Sequence, residues 1–257
     1  MKTINVLLVF LSFLFHSVCF AQFSPPGLGK INTATWFAVG VKQKLNDKKT
    51  ISSATFLGVG RTSNPDNYNP LQRSAIYVVN QEITHHFAKH WEYAGALSYR
   101  LQNNYKTEKP YQLDSPGNQQ EIRTYGKISY LDHWGLMDYS FTFRPELRFF
   151  FDPDFSTADK KAQFRTRFRG KIAFPLNASK TNKLIGTAEV LLATNKTQNW
   201  DQFQFNESRF CLYYSIKIPQ QKITLNVGYM NDLLLKPVVH DAHYLAIDIA
   251  ISDLFSS

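Results

Sequence analysis

From Asp138 to Phe174 the chain alternates between two kinds of side chain. Asp138, Ser140, Thr142, Arg144, Glu146 and Arg148 are polar, and between them lie Tyr139, Phe141, Phe143, Pro145, Leu147 and Phe149. A turn-rich break, Asp152 to Asp159, follows. The alternation then resumes with Gln163, Arg165, Arg167, Arg169 and Lys171 against Phe164, Phe168, Ile172 and Phe174. A period of two is the signature of a strand, whose successive side chains point to opposite faces. The stretch predicts two long antiparallel strands with one aromatic face and one charged face.

The same period recurs along the chain. It predicts strands over about 33–44, 50–61, 74–87, 91–102, 120–130, 184–194, 203–218 and 222–232. A last strand sets Leu245, Ile247, Ile249 and Ile251 against Tyr244, Ala246, Asp248 and Ala250, and ends near Phe255. Long polar connections, 62–70 and 103–119, alternate with short ones such as 45–48 and 88–90. Many strands reach the roughly 9–11 residues that a tilted membrane strand needs, longer than the ~5–6 usual in globular sheets. Alternating loop lengths are a barrel feature. Aromatics gather at expected strand ends, among them Trp91, Tyr93, Tyr130, Phe149, Phe150, Phe151 and Phe174, as in interfacial girdles. The expected fold is all-β: a closed antiparallel transmembrane β-barrel of about 12 strands, with 10–12 as the range. An even count is usual, so residues 22–32 would hide a further strand or the division is off by one.

The competing architecture is a soluble β-sandwich or lipocalin-like ligand-binding barrel. There the aromatic face would be the core and the charged face the solvated surface. Alternation alone does not separate the two.

The N-terminus changes the picture. Lys2 precedes an apolar run from Val6 to Phe15, and small residues follow at Ser17 and Ala21. This predicts a secretory signal over residues 1–21, a Pro/Gly-rich irregular segment over 22–32, and a barrel over 33–257. The run is short for a helical span, and His16, Ser17 and Val18 before Cys19 lack a lipoprotein pattern. Once the signal is removed, Cys211 is the one remaining cysteine, so no internal disulfide forms.

The net charge is +9. The Arg and Lys residues are interleaved with apolar ones and form no run, so nucleic acid is not an expected partner.

The densest polar set is Glu121, Arg123, Arg144, Glu146, Arg148, Arg165, Arg167, Arg169, Glu189, Glu207 and Arg209. Its strands are sequential neighbours, so inward side chains would form one ladder. Two readings follow: a structural plug of ion pairs, which offsets the cost of enclosed charge, and a cationic lumen that selects anions. The plug is the simpler and is preferred.

Other chemistry is thinner. His240, Asp241 and His243 hold two potential metal ligands and an acid, and His85, His86 and His90 form a second group. No third ligand is fixed, and exposed rim histidines explain both. Some outer-membrane barrels are lipid-modifying hydrolases or acyltransferases, which need a serine, a histidine and an acid. Ser74, Ser208 and Ser215 lie near strand ends, yet no G-x-S-x-G, P-loop or G-x-G-x-x-G occurs. Asn177, Asn195 and Asn206 match the glycosylation pattern by chance on this reading. No cofactor is expected.

The segments 36–40, 164–177, 207–214 and 227–231, with His243, resemble the domain-of-unknown-function 2490 family over most of the mature chain. That resemblance implies an outer-membrane barrel typical of Bacteroidota and transfers no catalytic residue. The expected partners are outer-membrane lipid, lipopolysaccharide and the barrel-assembly machinery.

Overall fold

The computed structural model describes residues 27–28, 31–234 and 240–255. The expected signal, residues 1–21, and positions 22–26 and 29–30 of the irregular segment lie outside them. Eleven strands follow one another: β1 (Thr33–Lys44), β2 (Ile51–Thr62), β3 (Arg73–Ala88), β4 (Trp91–Tyr105), β5 (Leu113–Trp134), β6 (Met137–Phe151), β7 (Thr157–Pro175), β8 (Asn182–Lys196), β9 (Gln204–Ile218), β10 (Ile223–Leu234) and β11 (His240–Ser252). Each pairs antiparallel with its chain neighbours, and the sheet closes on itself through β1 and β11.

Eleven falls within the expected ten to twelve, but the closure differs from an even barrel. Every hairpin reverses the chain. With an odd number of strands the first and last therefore run the same way, and their pairing is parallel. It runs from Thr33↔His243 to Lys42↔Ser252. No strand from residues 22–32 is needed: the described residues there, Gly27, Leu28, Ile31 and Asn32, lie outside any strand.

The largest boundary difference is in β5, which starts at Leu113 where a loop to residue 119 was expected. Pro116 and Gly117 marked that loop. Both sit in a bulge, where the β4–β5 register jumps from Asn103↔Asn118 to Tyr105↔Leu113. A bulge tolerates a proline that an unbroken ladder would not. At the other end β5 runs on to Trp134, so the connection to β6 shrinks to residues 135–136.

The pleat sorts the residues as the alternation predicts. Leu57, Leu97, Phe141, Phe168, Leu212 and Leu245, from six different strands, are each more than half exposed on the outer wall. Glu146, Glu189 and Arg209 are 1% exposed, inside. A soluble barrel requires the opposite orientation. Outward aromatics also meet in a cluster at the short-turn rim, where the rings of Trp91 and Tyr130 lie 5.2 Å apart and those of Tyr130 and Tyr139 6.5 Å apart. Phe150 departs from the expected girdle. It faces the lumen, 3% exposed, because its neighbours Phe149 and Phe151 take the outward phase.

The lumen has two unlike sides. Toward β1, β3 and β9–β11 it is filled by Trp36, Ile76, Tyr213, Met230 and Tyr244, with Leu28 and Ile31 from the N-terminal segment packed in the same cluster. Space for the largest rings comes from glycine on the facing strand. A Cβ on Gly58 would lie 2.3 Å from the Trp36 indole, and one on Gly228 2.2 Å from the Tyr213 ring. The other side, from β3 to β10, carries most of the charges.

Candidate functional site: the charge ladder in the lumen

Strand register places like charges directly opposite each other at two points, Arg123↔Arg148 and Arg144↔Arg167. Such pairs repel when nothing intervenes. Each is bridged by a glutamate two residues along one of the strands. Glu121 accepts from Arg148 Nε at 2.8 Å and Nη2 at 2.6 Å, and from Arg123 Nε at 2.9 Å. Two-point pairing of this kind is the strong form of guanidinium–carboxylate contact. Glu146 sits between the second pair. Its Oε1 lies 2.9 Å from Arg144 Nε and 3.0 Å from Arg167 Nη2. Its Oε2 accepts from Arg165 Nη2 at 2.6 Å, and Arg123 Nη1 lies 3.8 Å away. The Glu146 side chain is completely buried.

The ladder continues round the wall. Glu189 accepts from Arg167 Nη1 at 3.0 Å and lies 3.3 Å from Arg169 Nε. Glu207 accepts from Arg209 Nη2 at 2.5 Å and is 3.5 Å from Arg165 Nη1. Every residue of the set expected from sequence faces the lumen and takes part in this network.

Sequence reasoning left out several members. Arg100 lies opposite Glu121 in register, at 3.8 Å. Asp232 lies opposite Arg209, at 3.5 Å from Arg209 Nε. Lys127 donates to Glu82 at 2.8 Å and lies 3.6 Å from Glu92. Tyr125 joins this group to the ladder: its hydroxyl donates to Glu82 at 2.9 Å, and its ring lies 3.5 Å under the Arg144 guanidinium. The signal that could have found them was in hand. All share the inward phase of their strands.

Two cavities flank the buried waist around Glu146 and Arg123. One, of about 60 Å³, lies toward the short turns between Lys127, Arg144, Arg169 and Glu189. That is room for about two waters. The other, of about 300 Å³, lies toward the long loops and is bounded by Gly27 and Leu28 of the N-terminal segment. Arg100 Nη2 donates to the Gly27 carbonyl at 3.1 Å, and Leu28 N–H donates to the Tyr244 hydroxyl at 3.0 Å.

The histidines near the C-terminus do not converge. A strand places positions three apart on opposite faces. His240 Nε2 donates to the Ile31 carbonyl at 2.7 Å, while His243 stands on the outer wall beside the Tyr229 hydroxyl, 2.5 Å away, and Asp241, 3.5 Å away. Among the described residues no group of three histidines, cysteines or carboxylates is placed to hold a metal. His85 Nδ1 meets the Tyr93 hydroxyl, His86 meets Glu92, and His90 meets the Leu131 carbonyl and Asp132. Ser74 hydrogen-bonds Tyr77, Ser215 is buried on the lumen side, and Ser208 lies opposite Leu233. The hydrogen-bonding partners of these histidines are thus tyrosines, carboxylates and backbone carbonyls. Between the long loops, Lys109 hydrogen-bonds Asp66 at 3.1 Å and holds its carboxyl below the ordinary value.

A comparison with curated proteins gives no match. The family model described as a protein of unknown function, DUF2490, matches residues 33–238, from the start of β1 to the approach to β11. This chain is a member of the DUF2490 family, and its fold is a closed β-barrel.

Proposed function

We propose that this protein is an outer-membrane β-barrel of a Gram-negative bacterium, exported by residues 1–21, whose lumen is sealed at the waist by buried ion pairs. The carrying observation is the orientation of the wall. Phe168 is 51% exposed on the outside, whereas Glu146 is 1% exposed within. Exposed apolar surface on this scale needs an apolar partner, and a ring of it round a closed barrel matches an acyl-chain environment. A closed barrel also leaves no unpaired sheet edge, the condition for strands to cross a bilayer. Its partners on this reading are outer-membrane lipid, lipopolysaccharide and the machinery that assembles barrels. The long loops and the mouth at Gly27 then face outward, and the short turns face the periplasm.

The role is structural, with the ladder as a plug. Passive passage of anions is a second reading, favoured by the excess of arginine over carboxylate in the ladder. Membrane fractionation, a gel of heated and unheated samples, and planar-bilayer recording test both. The expected result is outer-membrane recovery, a heat-dependent mobility shift, and no steady conductance. Recovery in the soluble fraction would remove the membrane reading, and a stable anion-selective current would replace the plug with a pore.

A further inference from the structure

The cavity at the long-loop mouth is unlike the waist below it in how its charges are matched. Arg148 is held by Glu121, and Arg209 by Glu207. Two cations beside them are not matched in that way. Arg100 spends its hydrogen bonds on the Gly27 carbonyl and the Gln102 amide oxygen, and its nearest carboxylate, Glu121, is 3.8 Å away. Lys160 lies over the face of Phe150, 4.2 Å from the ring centre, and among the described residues no carboxylate pairs with it. Both line the same cavity of about 300 Å³, together with the Gln119 amide. The lining holds five cations against two carboxylates, Glu121 and Glu207. Enclosed positive charge in such excess is costly, and an incoming anion would offset that cost.

We propose that this cavity binds a small solute carrying an oxyanion, a phosphate or a carboxylate, with Arg100 and Lys160 as its charge partners. The volume is at the lower end of small-molecule sites, so one such group on a sugar-sized body is the upper limit. Arg100 offers its Nη1 group, because Nη2 is committed to Gly27 and Gln102, and Lys160 offers a point charge. Phosphate chemistry could come from a free solute or from a lipid headgroup. The lining side chains point inward from β4, β5, β6, β7, β9 and β10, so the cavity is reached through the mouth and not through the wall. That assigns the site to a free solute. The inference borrows from the proposed function only which side the mouth faces. Binding itself does not depend on the membrane reading.

The test is calorimetric titration of the full chain in detergent with inorganic phosphate, glucose 6-phosphate, glucose and lipopolysaccharide. Phosphate and glucose 6-phosphate bind and glucose does not, with affinity falling as salt rises. Arg100→Gln and Lys160→Gln each weaken binding about tenfold or more, the size expected for one charged hydrogen bond. Lys48→Gln, the same charge change in the β1–β2 turn at the opposite end, leaves binding unchanged. Lys160→Gln breaks no ion pair, so it reports on the site even if Arg100→Gln fails to fold. Heat-dependent gel mobility verifies each variant. The proposal is overturned if neither phosphate probe binds at millimolar concentration, if glucose binds equally, or if Lys160→Gln binds as the unaltered protein does. Binding of lipopolysaccharide alone, insensitive to both substitutions, also overturns it by placing the anion site on the outer surface.

Discussion

Glu146→Gln lowers the stability of the barrel by about 3–5 kcal/mol, the cost of breaking a buried ion pair while leaving its partners in place. Glu146 accepts hydrogen bonds from Arg165 and forms ion pairs with Arg144 and Arg167, with Arg123 close by, and its side chain has no contact with solvent. Glutamine keeps the shape and removes the charge. The register then presses Arg144 and Arg167 against each other across β6 and β7 with no counter-charge between them. Glu189 relieves Arg167 but is already shared with Arg169. For a domain of this size the loss corresponds to a fall of roughly 10 °C in the unfolding midpoint. The midpoint is read from the temperature at which the unheated gel species converts to the heated one. Glu108→Gln, in the loop 106–112, is the control and shifts it by no more than about 0.5 kcal/mol. Equal midpoints for the two variants would show that the ladder is not what holds the lumen together.

Phe168→Arg is the second large effect, and it separates a lipid-facing wall from a wetted one. Phe168 lies near the middle of β7, half exposed, with its ring 5.0 Å from that of Phe143 on β6. On a soluble surface such a change costs within about 0.5 kcal/mol. On the lipid face of a barrel at mid-depth, an arginine costs about 2–4 kcal/mol. Refolding into phosphatidylcholine vesicles under a urea gradient measures the difference. Lys161→Arg, at the long-loop end of the same strand, leaves the midpoint unchanged. A Phe168→Arg midpoint that does not move would argue that the outer wall meets water.

Both predictions rest on a split between wall and lumen that was legible from residue order. Asp138 to Phe174 shows it plainly, because the pleat leaves a strand residue only two directions. Pairings within the lumen were not legible in the same way. That Glu146 opposes Arg165, or that Glu121 must separate Arg123 from Arg148, follows from register, and register depends on turns whose lengths the alternation does not fix. The bulge at residues 114–117 is one such case: Pro116 and Gly117 signal a loop locally, while the ladder on either side carries the strand through. Closure was hidden for a different reason. The pairing of Thr33 with His243 joins strands at the two ends of the chain, and nothing in either segment names the other. Arg100 and Asp232 share the inward phase of their strands, but only the register of β4 with β5 and of β9 with β10 brings them to the ladder.

The direct measurement of the membrane reading is depth-resolved quenching of single fluorescent labels on barrels folded into vesicles. Single cysteines are placed, in a Cys211→Ala background, at outward Phe168, Leu212 and Leu245 and at inward Thr187 and Ser215. The proposed orientation predicts that bromines on the acyl chains quench the three outward labels strongly and the two inward labels little. Outward labels that respond only to a water-soluble quencher would contradict it.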